Sequence, residues 1–159
     1  MIQRIQTLYL LLVVILFSLL LFFPPVQLMT ASLEQEQHLY ELTFTSIKDI
    51  TDAQAPVSVM NTVSLSILSI VIILLSLVDI FLYRKRILQA RLNVVTVVLC
   101  LGYYAILATY IWFAVQNLGV TWHPTLWAAI PLVSLVLILM ATRAILRDEA
   151  LVRAADRIR

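Results

Sequence analysis

Residues 59–91 read VMNTVSLSILSIVIILLSLVDIFLYRKRILQAR, an apolar run that ends in a cluster of basic residues. A helix needs about 20 mostly apolar residues to cross a hydrocarbon core of ~30 Å, so residues 59–83 predict a transmembrane span. The segment that follows carries four positive charges and no acid, at Arg84, Lys85, Arg86 and Arg91. Because basic residues gather on the cytoplasmic side of membrane proteins, residues 84–93 predict an inner loop.

Three further apolar runs predict three more spans, at residues 5–23, 94–115 and 126–142. Of the 159 residues, 62% are hydrophobic and 13% are charged, and this charged share is about half that of soluble domains. Such a chain lacks the polar exterior that a soluble fold needs, and in lipid its backbone groups must be paired within helices. We therefore expect one all-α domain over residues 1–159, an integral membrane four-helix antiparallel bundle.

The distribution of basic residues predicts the orientation of this bundle. Arg4 precedes the first span, and Arg143, Arg147, Arg153, Arg157 and Arg159 follow the fourth. Ten of the 11 lysines and arginines therefore lie on one side of the membrane, and Lys48 lies on the other. Both termini are expected in the cytoplasm. Two prolines and no small-residue cleavage site follow the first span, so we expect that span to be retained.

Two loops are predicted on the outer side, at residues 24–58 and 116–125. In the longer one, apolar and polar residues alternate from Tyr40 to Ser46, which is typical of a strand. Val26–Thr30 could pair with it, so a small β-hairpin is expected there. In the shorter loop, residues 117–119 predict a turn. The tryptophans near it predict an interfacial aromatic belt: Trp112, Trp122 and Trp127.

Asp79 is the one acidic residue inside a predicted span, and intramembrane acids are candidates for function. Its position near the inner interface favours an ion pair with Arg4, Arg84 or Arg143. A proton or ion relay is the alternative. Ser66, Ser69 and Ser76 share one side of the same helix, a pattern that favours close helix packing over a polar pathway.

The residue types that support catalysis are scarce. Cys100 is the only cysteine, which excludes an intramolecular disulfide and a Cys-x-x-Cys motif. His38 and His123 both fall outside the predicted spans, where they cannot hold a haem between helices. We expect no catalytic residues, no metal site and no cofactor, and we expect no nucleic acid among the partners.

The richest polar sequence lies on the predicted cytoplasmic side. Residues 143–159 favour a helix that continues past the fourth span. Together with the inner loop, this tail helix could bind a partner or lie against anionic lipid. The candidate partner-binding residues are Arg84, Arg86, Arg91, Arg147, Asp148, Glu149, Arg153, Asp156 and Arg157.

Three motifs carry a resemblance to a known family. They are MIQRIQ at residues 1–6, YRKRILQARLN at residues 83–93 and RDEALVRAADRIR at residues 147–159. Together they resemble the domain of unknown function 4293 family of small, four-span bacterial inner-membrane proteins. The resemblance covers nearly the whole chain. It implies that the inner loop and the tail form a defined cytoplasmic face, which suits binding better than catalysis.

The leading hypothesis is a non-catalytic accessory or scaffold subunit of a larger inner-membrane assembly. Its partners would be the lipid bilayer and either another membrane protein or further copies of itself. The alternative is a small oligomeric transporter or channel that uses Asp79. An enzyme acting on lipid or quinone is a third hypothesis, with little support from the residues present.

Overall fold

The computed structural model describes residues 3–30, 38–51, 57–82 and 85–156. The side chains of residues 3, 4, 86, 152, 153, 155 and 156 lie outside this description. Within the described ranges the chain is mostly helical, and a sheet of five short strands accompanies the helices. A mostly-α fold is therefore confirmed, but the prediction of an all-α four-helix bundle is not, because five strands form a sheet where at most a small hairpin was expected.

Four α-helices lie in the described part of the chain: α1 (Gln3–Leu20), α2 (Val63–Phe81), α3 (Arg86–Leu118) and α4 (Ile130–Asp156). Three stretches are long and apolar enough to cross a membrane, namely Val63–Phe81, Ile87–Leu118 and Leu126–Leu151. The apolar stretch of α1, Ile5–Leu20, is shorter. These lengths and compositions fit a membrane protein.

Each helix packs against two others: α1 and α3 both contact α2 and α4. The buried residues of each helix recur every three or four positions, the spacing that places them on one face. They are Leu10, Val13, Phe17 and Leu20 in α1, Leu65, Ser69, Ile72 and Ser76 in α2, Asn93, Thr96, Cys100, Tyr103 and Leu107 in α3, and Ser134, Ile138, Ala141 and Ile145 in α4.

The outward faces of the helices are also apolar. Leu8 and Leu11 of α1, Ile67 of α2 and Val98 of α3 are between 46% and 60% exposed. A soluble protein rarely leaves so continuous an apolar surface in contact with water. This exposure on several helices is the surface expected of a protein that contacts lipid.

The sheet is antiparallel throughout and has the strand order β4-β3-β2-β1-β5. Its strands are β1 (Val26–Thr30), β2 (Leu39–Leu42), β3 (Ser46–Asp49), β4 (Val57–Asn61) and β5 (Val120–Pro124). Leu28, Leu42 and Ile47 are buried and belong to the same apolar core as the helices. The sheet therefore covers one end of the helices.

The predicted strand at residues 40–46 is only partly right. β1 does pair with β2, with Val26 opposite Leu42. The predicted strand is interrupted, however, by a tight turn between β2 and β3. In this turn the Thr43 amide donates a hydrogen bond to the Ser46 carbonyl (3.0 Å), and the chain reverses direction. Alternation alone does not distinguish one long strand from two short strands joined by a tight turn.

Two other segments differ from their predicted positions. Residues 57–61 form β4, which takes the last two residues of the predicted outer loop and the first three of the predicted second span. Residues 120–124 form β5 instead of a plain loop. β5 pairs with β1 along all five positions, so the two outer loops form one structure. Gly119 ends α3 in a left-handed conformation (φ 60°), and its N–H donates to the Val115 carbonyl, as the predicted turn requires.

The prediction of a loop over residues 84–93 is wrong for residues 86–93, because α3 begins at Arg86. This helix is 33 residues long and spans about 50 Å, well beyond a hydrocarbon core of ~30 Å. The side chains of Gln89 and Asn93 are buried, so this first part of α3 is packed against the other helices. Likewise, α4 continues without a break from the apolar segment into the predicted tail.

Candidate functional site at the basic end of the helices

The end of the molecule opposite the sheet carries the exposed basic residues Lys85, Arg91, Arg143 and Arg147. Here α1 and α3 begin, and α2 and α4 end. We call this the basic end. The first turns of α3 and the last turns of α4 lie here, so the described parts of the two segments proposed from sequence to bind a partner, residues 86–91 and 147–156, are helical.

A hydrogen bond between buried polar side chains joins α1 to α4 at the basic end. The Gln6 Nε2 group donates to Asp148 Oδ2 at 2.9 Å. Gln6 is 6% exposed and Asp148 is 8% exposed. Asp148, predicted as a residue that contacts a partner, is thus directed into the protein and helps to hold the end of α4 against α1.

Asp79 lies at the end of α2 and is 1% exposed. The Gln89 Nε2 group donates to its backbone carbonyl (3.1 Å), which ties the start of α3 to the end of α2. Within the described ranges, neither carboxylate oxygen of Asp79 has a hydrogen-bond partner. The same is true of three other buried polar atoms, Ser76 Oγ, Asn93 Nδ2 and Ser134 Oγ.

The three predicted ion-pair partners of Asp79 have different outcomes. Arg143 is exposed and makes no hydrogen bond to the Asp79 carboxylate. Arg84 and the side chain of Arg4 lie outside the described residues, so those two pairings stay predictions. The predicted serine face is buried: Ser66 donates to the Phe44 carbonyl, and Ser69 donates to the Leu65 carbonyl at 2.9 Å.

A groove of about 500 Å³ lies between the first turns of α3 and the last turns of α4. We call it the α3–α4 groove. Its walls are mainly aliphatic, while Arg91 on α3 and Glu149 on α4 contribute opposite charges. Its lining residues are Ile87, Ala90, Arg91, Val94, Thr142, Ile145, Leu146, Glu149 and Ala150.

A second groove, of about 530 Å³, lies on the other side of α4. We call it the α1–α4 groove, because α1 forms its opposite wall. It combines apolar side chains with two exposed arginines, and it borders the buried Asp148. Its lining residues are Ile5, Tyr9, Met140, Arg143, Ala144, Arg147, Asp148 and Leu151.

The described candidate partner-binding residues lie in two different grooves. Arg91 and Glu149 belong to the α3–α4 groove, and Arg147 and Asp148 to the α1–α4 groove. Arg84 and Arg157 lie outside the described residues, as do the side chains of Arg86, Arg153 and Asp156.

The apolar members of both grooves were not predicted from the sequence. In the α3–α4 groove, Ile87, Ala90 and Val94 recur at spacings of three and four residues. This spacing identifies one face of a helix, so the signal is present once residues 86–94 are recognised as helical.

A polar cluster on the sheet is the other concentrated group of titratable side chains. His38 Nδ1 lies 2.9 Å from Asp49 Oδ2 and 3.2 Å from Thr51 Oγ1. The hydrogen bond from the Thr51 hydroxyl, helped by its amide and by His38, holds the pKa of the Asp49 carboxyl below its usual value against the opposing effect of burial. Among the described side chains, no group of three His, Cys, Asp or Glu residues is placed to hold a metal ion.

Aromatic residues gather near the sheet, as the predicted belt requires. Trp112 and Trp122 are 68% and 52% exposed. Trp127 stacks on Phe23 with ring centroids 4.0 Å apart, which fixes the end of α1 against the segment before α4. Exposed indoles at one end of apolar helices suit the interface between water and lipid.

A family model described as Domain of unknown function (DUF4293) matches residues 2–158. The chain belongs to this family. No curated protein matches it in sequence. All four helices of this DUF4293 protein, both grooves and the sheet fall within the matched residues.

Proposed function

We propose that this DUF4293 protein is a non-catalytic subunit, an accessory or scaffold, of a larger assembly in a bacterial inner membrane. It would cross the membrane four times, with both termini in the cytoplasm. The α3–α4 groove would be its docking site for a partner. The observation that carries the proposal is this groove, formed by the two segments whose polar sequence predicted a contact surface.

The walls and charges of the groove indicate the kind of partner. Ile87, Val94 and Leu146 offer exposed apolar surface above the buried Ile145. Arg91 and Glu149 add charges of opposite sign on the two helices. An amphipathic helix buries its apolar face in such a groove and places charged residues toward the rims. A helix of another membrane protein, or of a second copy of this chain, fits this description.

The four-span topology is supported by packing and by charge. Although the apolar stretch of α1 is short, α1 contacts both α2 and α4 and buries Leu10, Val13 and Phe17 in the common core. Lys85, Arg91, Arg143 and Arg147 lie at the end opposite the sheet, where basic residues favour the cytoplasm. An even number of spans returns the C-terminus to the side of the N-terminus.

Purification with a mild detergent tests the proposed function directly. The tagged protein should co-purify with a membrane protein in a fixed ratio, or as an oligomer of defined size, at a yield well above that from a control membrane protein. Recovery of the protein alone and monomeric, after cross-linking in intact cells, would contradict a scaffold role.

A transporter or channel is the second candidate, because Asp79 is buried and its carboxylate has no hydrogen-bond partner among the described residues. Buried acids without partners often mark ion pathways in membranes. A transport role predicts that Asp79→Asn abolishes ion flux into liposomes while the protein still folds.

We expect a different result for Asp79→Asn. The ion pair with Arg4 or Arg84 that the sequence predicts would be broken by the amide, so the variant should unfold at a lower temperature than the wild type without any change in flux. It should also retain its partner. Flux and thermal unfolding measured on the same preparations distinguish the two candidates, and Ser134→Ala serves as a control for a buried polar change elsewhere.

A further inference from the structure

We propose that the α1–α4 groove binds one anionic phospholipid, with its phosphate between Arg143 and Arg147 and an acyl chain along the apolar wall. This site is separate from the α3–α4 groove, and it does not depend on the proposed docking function. It requires only that the apolar helices lie in a bilayer. The inference rests on the placement of two cations beside an apolar surface that continues toward the membrane core.

The two arginines are placed to bind a single phosphate. They are four residues apart on one continuous helix, so they lie on the same side and about 6 Å apart along its axis. Both are exposed and both line the groove. Guanidinium groups bind phosphate oxygens in a forked geometry, and long arginine side chains reach from an apolar wall toward the headgroup level.

The nearby acid does not cancel this positive potential. The Asp148 carboxylate also lines the groove, but it is 8% exposed and accepts a hydrogen bond from Gln6. Two exposed arginines against this one acid leave the lining of the groove with a net positive charge. Glu149 lines the other groove. The face available to a headgroup is therefore cationic, and a zwitterionic lipid would gain less from it than an anionic one.

The rest of the groove suits a hydrocarbon chain. Ile5 of α1 and Met140 of α4 are 49% and 43% exposed, and both line the groove, as does Ala144. Met140 and Ala144 are one turn apart and lie on the membrane side of Arg147 along α4. A free phosphate ion would use only the arginines, whereas a lipid would also cover this apolar wall.

Native mass spectrometry tests the site. The full-length protein is equilibrated in mixed micelles with equal amounts of phosphatidylglycerol and phosphatidylcholine, and the two kinds of bound lipid are counted. The wild type should prefer phosphatidylglycerol. Removing both charges with Arg143→Gln/Arg147→Gln should lower this preference at least fivefold, since each cation near a lipid surface is worth about a fivefold change.

Three comparisons make the result decisive. Lys85→Gln/Arg91→Gln removes the same charge from the basic end outside the groove and should keep the preference. Ala144→Trp fills the apolar wall and should reduce the number of bound lipids of both kinds. Arg143→Lys/Arg147→Lys keeps the charge and should retain most of the preference for phosphatidylglycerol. This result would show that the glutamine variant loses the preference through its charge and not through a general effect of substitution at these two positions.

The proposal fails if the wild type shows no preference, or if the Lys85/Arg91 variant loses it equally, since bulk charge then explains the effect. It also fails if Ala144→Trp binds lipid as the wild type does, or if inorganic phosphate at equal concentration displaces phosphatidylglycerol, because the apolar wall is then not part of the site.

Discussion

Ala150→Trp is expected to reduce the co-purified partner at least tenfold while the protein remains folded and in the membrane. Ala150 is exposed and lines the α3–α4 groove, so an indole placed there occupies the volume that a partner helix would enter. Apolar anchors at the centre of an interface are worth about 2 kcal/mol or more, and 1.4 kcal/mol is a factor of ten in affinity. Quantitative mass spectrometry of the purified complex measures the loss.

Ala144→Trp provides the matched control on the same helix. Ala144 lines the α1–α4 groove, on the other side of α4, and therefore leaves the docking surface open. We expect this variant to retain its partner but to bind less lipid, whereas Ala150→Trp should lose its partner and bind lipid normally. Equal partner recovery with both variants would contradict docking in the α3–α4 groove.

Gln6→Leu is expected to destabilise the protein by about 2 kcal/mol. The substitution removes the donor of a 2.9 Å hydrogen bond to the buried Asp148 carboxylate. A buried acceptor that loses a partner keeps its cost of desolvation, and hydrogen bonds to charged groups are stronger than neutral ones. Because α1 has the shortest apolar stretch of the four helices described, its attachment to α4 should be sensitive to this loss.

A double variant separates the hydrogen bond from general effects of substitution. Gln6→Leu, Asp148→Leu and the double variant form a cycle that isolates this bond from the other contacts of Asp148, and the loss in the double variant should be smaller than the sum of the two single losses, as measured by reversible unfolding in detergent micelles. Gln116→Leu makes the same change at an exposed position near the sheet and should alter stability by less than about 0.5 kcal/mol. Additive losses in the double variant would show that the Gln6–Asp148 bond does not matter.

The apolar runs predicted the helices well because a span is defined by length and hydropathy. The ends of the helices were harder to predict. Residues 84–93 read as a loop because four cations interrupt the apolar pattern, yet the buried residues Gln89, Asn93 and Thr96 recur at spacings of four and three, which is a helical period. At the other end, β4 takes the first residues assigned to the second span, since Val57–Asn61 suits a strand as well as a helix.

The sheet could be only partly predicted, because strand pairing depends on contacts between residues distant in sequence. The pairing of β1 with β2 followed from their alternating patterns. The pairing of β1 with β5 joins residues about 90 positions apart, and no local pattern indicates it. The fold therefore connects two outer segments that sequence reasoning treated as separate loops.

The lining of the two grooves could be predicted only in part. The sequence places the candidate residues at the basic end, where both grooves lie, but charge alone did not reveal that Asp148 is buried or that Ile87 and Leu146 line a groove. Burial of a single charged residue depends on its neighbour in space, here Gln6 from the opposite end of the chain. Such a contact is set by how α1 packs on α4.

Cysteine labelling measures most directly whether the basic end faces the cytoplasm. Cys100 is fully buried, and its replacement by alanine gives a cysteine-free protein. Single cysteines are then introduced at two exposed positions, Ser58 on the sheet and Ala154 near the end of α4. A maleimide that cannot cross membranes should label Ser58→Cys in intact spheroplasts, and Ala154→Cys only after the membrane is broken. Labelling of Ala154→Cys in intact spheroplasts would contradict the proposed orientation and the cytoplasmic docking groove with it.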